Sequence, residues 1–187
     1  MFALDYDGTI ADTNTVKSRW LRKHLGIQVA PCDCDRSTCV PIVGEETYEL
    51  MSSQVYEQEL SLQAGIVPGA KQAIRLLGKC GPIHVVSARS ERQLEYASEW
   101  LKRKGLLPYI TSLVSTRCAD KISRATSLAC RILIDDDERH LRDSGDCGMS
   151  VVLLKIGAGD YASRFPHVSV FSNWRDAASY AMRVASG

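Results

Sequence analysis

Met1-Phe2-Ala3-Leu4-Asp5-Tyr6-Asp7-Gly8-Thr9 opens the chain and decides how the rest is read. The apolar run from Met1 to Leu4 reads as a buried strand, and Gly8 lets the backbone turn sharply once it ends. Asp5 and Asp7, one residue apart at the mouth of that strand, can take different tasks. One can attack an electrophile while the other donates and withdraws a proton. Two carboxylates so close repel each other, and a bound cation is the natural way to keep both charged. Asp and Gly also favour ordinary turns, so the remaining sequence has to carry part of the reading.

Outward from this strand, helix and strand patterns alternate. Val16 to Leu25 reads as a helix stopped by Gly26, and its Lys17, Arg19, Arg22 and Lys23 read as a solvated face that could also attract an anionic substrate. Gln28 to Val43 reads as a loop rich in cysteine and proline, and Glu45 to Gln63 as one helix. Pro68-Gly69 breaks the chain before a helix from Ala70 to Lys79. Strands are expected at Ile83–Val86, Ile110–Val114, Ile132–Ile134, Ser150–Leu154 and Val168–Phe171, and helices at Glu91–Lys104, Lys121–Cys130 and Asn173–Val184. Ser172 or Asn173 can cap the last of these helices. The alternation implies an α/β fold, a Rossmann-like parallel sheet with helices on both faces. Residues 12–67 interrupt it with helix and loop alone, and read as a small helical cap inserted after the first strand; residues 1–11 and 68–187 are then the core.

Bulk properties exclude several classes. The 187 residues suit one domain carrying an insertion, and 45% of them are hydrophobic, enough to fill a core. A net charge of +1 and a pI near 7.6 argue against a basic face for a nucleic acid polymer. No apolar stretch approaches the roughly 20 residues needed to span a bilayer, and Asp5 and Asp7 interrupt any secretory-signal pattern. Seven cysteines is an odd number for a disulfide framework. A cytoplasmic address is expected.

Ligands of open parallel sheets bind beyond the carboxyl ends of the strands. The first strand ends there in Asp5 and Asp7, the second in Ser87-Ala88-Arg89. Lys121 opens the helix after the third, and the fourth ends in Asp135-Asp136-Asp137. Taken singly, Ser87 could cap a helix (Ser90 competes for that role), Lys121 could be a surface charge, and the aspartates could cap a helix amino terminus. Together they can surround a phosphoryl group and a divalent cation.

In this order the set resembles the haloacid dehalogenase superfamily of phosphohydrolases, whose four motifs are matched by Asp5-Tyr6-Asp7-Gly8-Thr9, Ser87, Lys121 and Asp135-Asp136. The resemblance implies a phosphatase acting on a small-molecule phosphate monoester through an aspartyl phosphate. Asp5 would be the nucleophile and Asp7 the acid and base. Mg²⁺ would be held by Asp5, the Asp7 main-chain carbonyl and an acid of the Asp135-Asp136 pair, while Ser87 and Lys121 neutralise phosphoryl oxygens. The return Val67-Pro68-Gly69-Ala70, with Ile134-Asp135-Asp136, looks like the 5′(3′)-deoxyribonucleotidase branch, which adds nucleotides to sugar phosphates and phosphoglycolate as possible esters.

Other features stay outside this set. Which of Asp135 and Asp136 binds metal is left open, and Asp137 is expected to be solvated or to cap a helix containing His140. Arg89 and Arg124 could reach a substrate anion. Tyr6 is expected to face away from its flanking acids, and His84 to be a sheet residue. Cys32, Cys34 and Cys39 are close enough for zinc, but they lack paired Cys-x-x-Cys spacing and an evident fourth ligand. Cys80, Cys118, Cys130 and Cys147 read as packing residues. The alternative function is a receiver-type phosphoacceptor, which also gathers acids, a hydroxyl and a lysine around Mg²⁺; its phosphorylated aspartate follows a later strand, however, and it has no use for a cap.

Overall fold

Phe2, Ala3 and Leu4 are wholly buried because β1 (Phe2–Leu4) runs through the centre of a sheet covered on both faces. The computed structural model describes residues 1–117, 120–145 and 147–186. Six parallel strands lie in the order β5-β4-β1-β6-β7-β8, with β4 at Ile83–Ser87, β5 at Ser112–Ser115, β6 at Ile132–Asp135, β7 at Ser150–Leu154 and β8 at Val168–Phe171. Phe2 aligns with Ile83 on one side and Ile132 on the other, and Leu4 with Val85 and Ile134. The chain therefore builds outward from β1 to β4 and β5, then crosses to β6. That reversal makes β1 the switch point, where a crevice opens above the carboxyl ends of the strands.

Helices α5 (Ala70–Cys80), α6 (Glu91–Arg103), α7 (Lys121–Ser127) and α8 (Trp174–Ser186) cover the sheet. Two apolar clusters result: Phe2, Leu4, Trp100, Trp174 and Ile134 belong to the larger, and Ala3, Val86, Leu133 and Leu153 to the smaller. Alternation along β1 sends Phe2 and Leu4 to one layer and Ala3 to the other. The helix starts follow local chemistry. Ser90 and Gln93 form a reciprocal capping box on α6, and Asn173 rather than Ser172 accepts from the Asp176 N–H at 2.9 Å to cap α8.

Between β1 and α5 lies a helical insertion: α1 (Thr13–Leu25), α2 (Arg36–Val43), α3 (Glu45–Val55) and α4 (Gln58–Gln63). Its two ends meet in a short antiparallel ribbon of β2 (Ala11–Asp12) and β3 (Gly65–Ile66), a pairing that helix and loop alone did not anticipate. Gly26 ends α1 with φ of 68°, as expected of a glycine after a helix.

Two expectations need correction here. The segment 28–43 is not all loop: Asp35 caps α2 by accepting from the Thr38 N–H at 3.2 Å, and Pro41 sits late in that short helix. Pro usually marks a loop, and that hid the helix. The helix expected over 45–63 is broken at Tyr56 and Glu57, where the Tyr56 N–H bonds back to Ser52 and a new helix begins at Gln58. Among the described residues, no helix is long and apolar enough to cross a membrane. Cys118 lies outside the described residues.

Candidate active site

The loop after β1 turns on its own backbone. The N–H groups of Ile10 and Ala11 both bond to the Tyr6 carbonyl, at 3.0 and 2.9 Å, and the Gly8 N–H bonds to the Ala11 carbonyl at 2.8 Å. Gly8 has φ of 79°, and a Cβ there would lie 2.0 Å from an Asp136 carboxylate oxygen. No other residue fits, on both counts. The turn therefore brings Asp5 and Asp7 against the acids that follow β6.

Lys121, on the first turn of α7, is buried and joins the motifs. Its ammonium donates to Asp5 Oδ1 at 2.5 Å and to Asp135 Oδ2 at 2.6 Å. His140 Nδ1 lies 3.1 Å from the same Asp135 oxygen, and the Asp137 N–H donates to Asp135 Oδ1 at 2.9 Å. Asp135 is thus fully engaged. Asp136 instead accepts from Asn14 Nδ2 at 2.9 Å, and from no cation among the described residues. Asp137 caps the turn Glu138–His140 through the Arg139 N–H and pairs with the Arg139 side chain; it is buried, not solvated.

One ammonium pairs with two of the three buried carboxylates, and their pKa values record the imbalance. Burial pushes Asp5 up to about 8 against the pull of Lys121, and the neighbouring acids add to the rise. Asp136 is raised to about 7, first by burial and then by the charges of Asp135 and Asp137. Asp135 goes the other way: burial opposes ionisation, but Lys121 and His140 outweigh it. Oxygens of Asp5, Asp135 and Asp136 lie within 4.8 Å of one another, a hard all-oxygen donor set of the kind divalent cations such as Mg²⁺ take. The donors fit such an ion. Cys32, Cys34 and Cys39 belong to no such group among the described residues.

Asp7 faces the opposite way, to Arg89. The guanidinium is buried and meets both Asp7 oxygens, Nε to Oδ2 at 2.9 Å and Nη2 to Oδ1 at 2.8 Å. Tyr6 points away from the acids but lies under Arg89, edge-on to Trp100. Ser87, also buried, accepts from the Arg89 N–H at 3.3 Å, which leaves its own O–H free to donate. Ser90, not Ser87, is the helix cap.

Above these residues is a cleft of about 290 Å³ lined by Asp5, Asp7, Ser87, Lys121 and Asp136 from the sheet side, and by Lys17, Tyr48, Ser52 and Tyr56 from the insertion. Solved structures share this architecture. A haloacid dehalogenase-like hydrolase from Streptococcus pneumoniae superposes with a TM-score of 0.64 at 13% identity, over 96% of each chain. A haloacid dehalogenase family hydrolase from Deinococcus radiodurans, solved with bound phosphate and sodium, gives 0.62 at 14% identity over 98% of this chain and 96% of that one. One from Bacillus subtilis, bound to magnesium, gives 0.62 at 10% identity over 96% and 97%. The chain has the haloacid dehalogenase fold. No family model matches the sequence, and no curated protein does.

Within the haloacid dehalogenase fold, this chain brings all six residues singled out from sequence to one place: Asp5, Asp7, Ser87, Lys121, Asp135 and Asp136. Arg124 is not among the cleft residues, and Arg89 engages Asp7 rather than lying open for a substrate. Lys17 corrects the reading of α1 as a solvated basic face: Arg19, Arg22 and Lys23 are exposed, whereas Lys17 is buried and lines the cleft. Sequence reasoning also missed Asn14 and His140 as partners of Asp136 and Asp135. His140 lies only five residues after Asp135, which was an available signal, whereas Asn14 is 122 positions from Asp136 and offered none. His84 bonds Ser112 Oγ at 2.8 Å across two strands, as a sheet residue would.

Proposed function

We propose that the protein is a Mg²⁺-dependent phosphomonoesterase acting on a small soluble ester, with residues 12–67 as the cap that selects it and residues 1–11 and 68–187 as the catalytic core. The observation that carries this reading is the Lys121 ammonium held between Asp5 and Asp135, with Asp136 beside them paired to no cation among the described residues and Asp7 across the same cleft. Asp5 Oδ1 is taken by Lys121, leaving the other oxygen to attack phosphorus in line. The bond from phosphorus to the ester oxygen breaks as Asp7 hands a proton to the leaving alkoxide. Water then attacks the aspartyl phosphate, Asp7 takes its proton, and inorganic phosphate leaves Asp5 as a carboxylate. Ser87 and Lys121 donate to the phosphoryl oxygens throughout. Asp5, the Asp7 carbonyl and Asp136 would hold Mg²⁺, which supplies positive charge to the phosphoryl oxygens when bound.

Two features favour phosphoryl transfer over displacement of a halide. A departing halide needs no proton, so the acid half of the role of Asp7 would have no use in the first step. An anionic leaving atom alone also gives no reason to bury three acids around one ammonium. The phosphate and sodium of the Deinococcus structure and the magnesium of the Bacillus structure support the same choice. The segment Val67–Ala70, which suggested a nucleotidase, packs beneath Trp174 instead of facing the cleft: a Cβ on Gly69 would lie 2.9 Å from the Trp174 Cβ. Deoxynucleoside monophosphates therefore enter the test as one ester class among others.

Repeated release of phosphate from p-nitrophenyl phosphate with Mg²⁺ present, abolished in Asp5→Asn, is the expected result. A receiver-type phosphoacceptor would instead be labelled once per chain, and that outcome would replace the enzyme reading.

A further inference from the structure

Among the described residues four lysine and arginine side chains are buried: Lys17, Arg89, Lys121 and Lys155. Arg89 has Asp7, Lys121 has Asp5 and Asp135, and Lys155 has Asp35. Lys17 has no carboxylate within ion-pair reach among the described residues. Its ammonium donates to the Tyr48 hydroxyl at 3.0 Å and to the Cys34 carbonyl at 3.4 Å, and it lies 5.3 and 5.6 Å from the ring centres of Tyr48 and Tyr56. These neutral partners offset part of the desolvation cost of an ammonium but supply no counter-charge. A buried cation is ordinarily kept only with an anion to answer it.

The surroundings are built to receive one. Tyr48, Ser52 and Tyr56 follow one another at four-residue spacing along and just past α3, so they present a single face, and all three line the cleft with Lys17. The Tyr48 oxygen accepts from Lys17, which leaves its O–H free to donate. Ser52 is 7% exposed, and its Oγ is a buried atom with no hydrogen-bond partner. A buried hydroxyl ordinarily finds a partner in the protein, an ordered water or a ligand, and of the buried hydroxyls without a protein partner Ser52 is the one that lines this cleft. Of the other basic groups that line this cleft, Arg36 pairs with Glu45 and Glu49 and Arg139 with Asp137, while Arg117 is exposed and, unlike Lys17, keeps its charge in water.

We infer that Lys17, Tyr48 and Ser52 form a subsite for a second anionic group, carboxylate or phosphoryl, carried by the leaving alcohol of the ester. This rests on the phosphomonoesterase reading and narrows it: the substrate is a small phosphate ester with a charge at each end. Lys121 and Ser87 take the phosphoryl end at the sheet, and the insertion reads the other. Lys17 is then a specificity residue of the cleft and takes no part in the chemistry at phosphorus.

The test compares esters in matched pairs, with Mg²⁺ present: 3-phosphoglycerate against glycerol 3-phosphate for the carboxylate, and 1,3-propanediol bisphosphate against 3-hydroxypropyl phosphate for the second phosphoryl group. The wild-type protein is expected to favour the charged member of at least one pair by about tenfold or more in kcat/KM, mostly through KM. Which pair responds names the anion. K17M is expected to collapse that preference to within about threefold, and K17R to retain most of it. S52A, which removes a hydroxyl and no charge, lowers the same ratio by a smaller factor and serves if K17M does not fold. Equal kcat/KM within both pairs in the wild type overturns the inference while the phosphatase reading stands. Loss of charged and neutral esters by one common factor in K17M and S52A also overturns it, because that is a structural effect. Release of phosphate from no ester removes the underlying reading and the inference together.

Discussion

Arg89 grips Asp7 at two points, Nε on one carboxylate oxygen at 2.9 Å and Nη2 on the other at 2.8 Å. Its third nitrogen, Nη1, donates to Ser61 at 2.6 Å, and the rings of Tyr6 and Tyr56 each lie 4.8 Å from the guanidinium carbon. Every nitrogen of the fork is used, so the pair fixes the orientation of Asp7. In the proposed reaction Arg89 acts through Asp7, as a positioning residue. R89K supplies one point charge without the planar fork. It is expected to lower kcat about 10- to 100-fold while changing KM by less than about threefold. Steady-state kinetics that showed unchanged kcat would separate Asp7 from Arg89 altogether.

Divalent cation binding to the Asp5–Asp135–Asp136 cluster should release protons. Asp5 is raised to about 8 and Asp136 to about 7, so at neutral pH part of the cluster carries protons that a cation displaces. Mg²⁺ affinity is therefore expected to rise with pH through this range and to level off above about 8. Calorimetric titration in two buffers of different ionisation enthalpy counts the protons released. A binding enthalpy independent of buffer would show that the acids are already ionised. Chelation with EDTA should remove activity, and added Mg²⁺ should restore it.

The two neighbouring aspartates ought to fail in different ways. Asp136 has no cation partner among the described residues, while Asp135 holds Lys121 and His140. D136N is expected to raise the Mg²⁺ concentration for half-maximal activity about tenfold or more, with kcat recovering at saturating metal. D135N should lower kcat by a similar factor that excess Mg²⁺ does not recover, because Lys121 loses an anchor. Metal titrations of both variants that gave the same profile would end the distinction.

How much of this was legible beforehand follows from which forces act locally. The apolar strand that leads to Asp5, the capping serine at Ser90 and the glycine stop at Gly26 each show in a short stretch of sequence, and each formed as the residues imply. The candidate set was readable because motif residues fall at strand ends in a fixed order. Lys17 was not. Helical spacing put it beside Arg19, Arg22 and Lys23, and only the packing of α3 across α1 turns it inward. Helix α2 was hidden by Pro41, and its capping Asp35 also meets Lys155, a residue 120 positions away in sequence. Partners of that kind leave no periodic trace.

That last pair also ties the insertion to the core. Lys155, just past β7, donates to Asp35 Oδ2 at 2.8 Å, and both side chains are buried. Burial alone would lift Asp35, but Lys155 and hydrogen bonds from Ser37 and Thr38 outweigh it and hold its pKa below the ordinary carboxyl value of 3.8. Lys155 is raised above its ordinary 10.5, because Asp35 outweighs the cost of burial. A carboxyl depressed on folding stabilises above its unfolded pKa and loses that contribution as pH falls through the folded one. A raised lysine stabilises below its unfolded pKa and loses it as pH climbs through the folded one. The pair therefore contributes fully between pH 3.8 and 10.5 and weakens on either side. K155M leaves a buried carboxylate unanswered and is expected to cost about 3–5 kcal/mol of stability near neutral pH. D35N/K155M, which removes both charges, should recover a large part of that loss. Urea unfolding at neutral pH and again in acid below the Asp35 range provides the check: the gap between wild type and K155M should narrow in acid, where Asp35 takes up a proton. A gap that stayed constant with pH would mean that Lys155 contributes by packing, and the ion pair would then not be what fastens the insertion over the cleft.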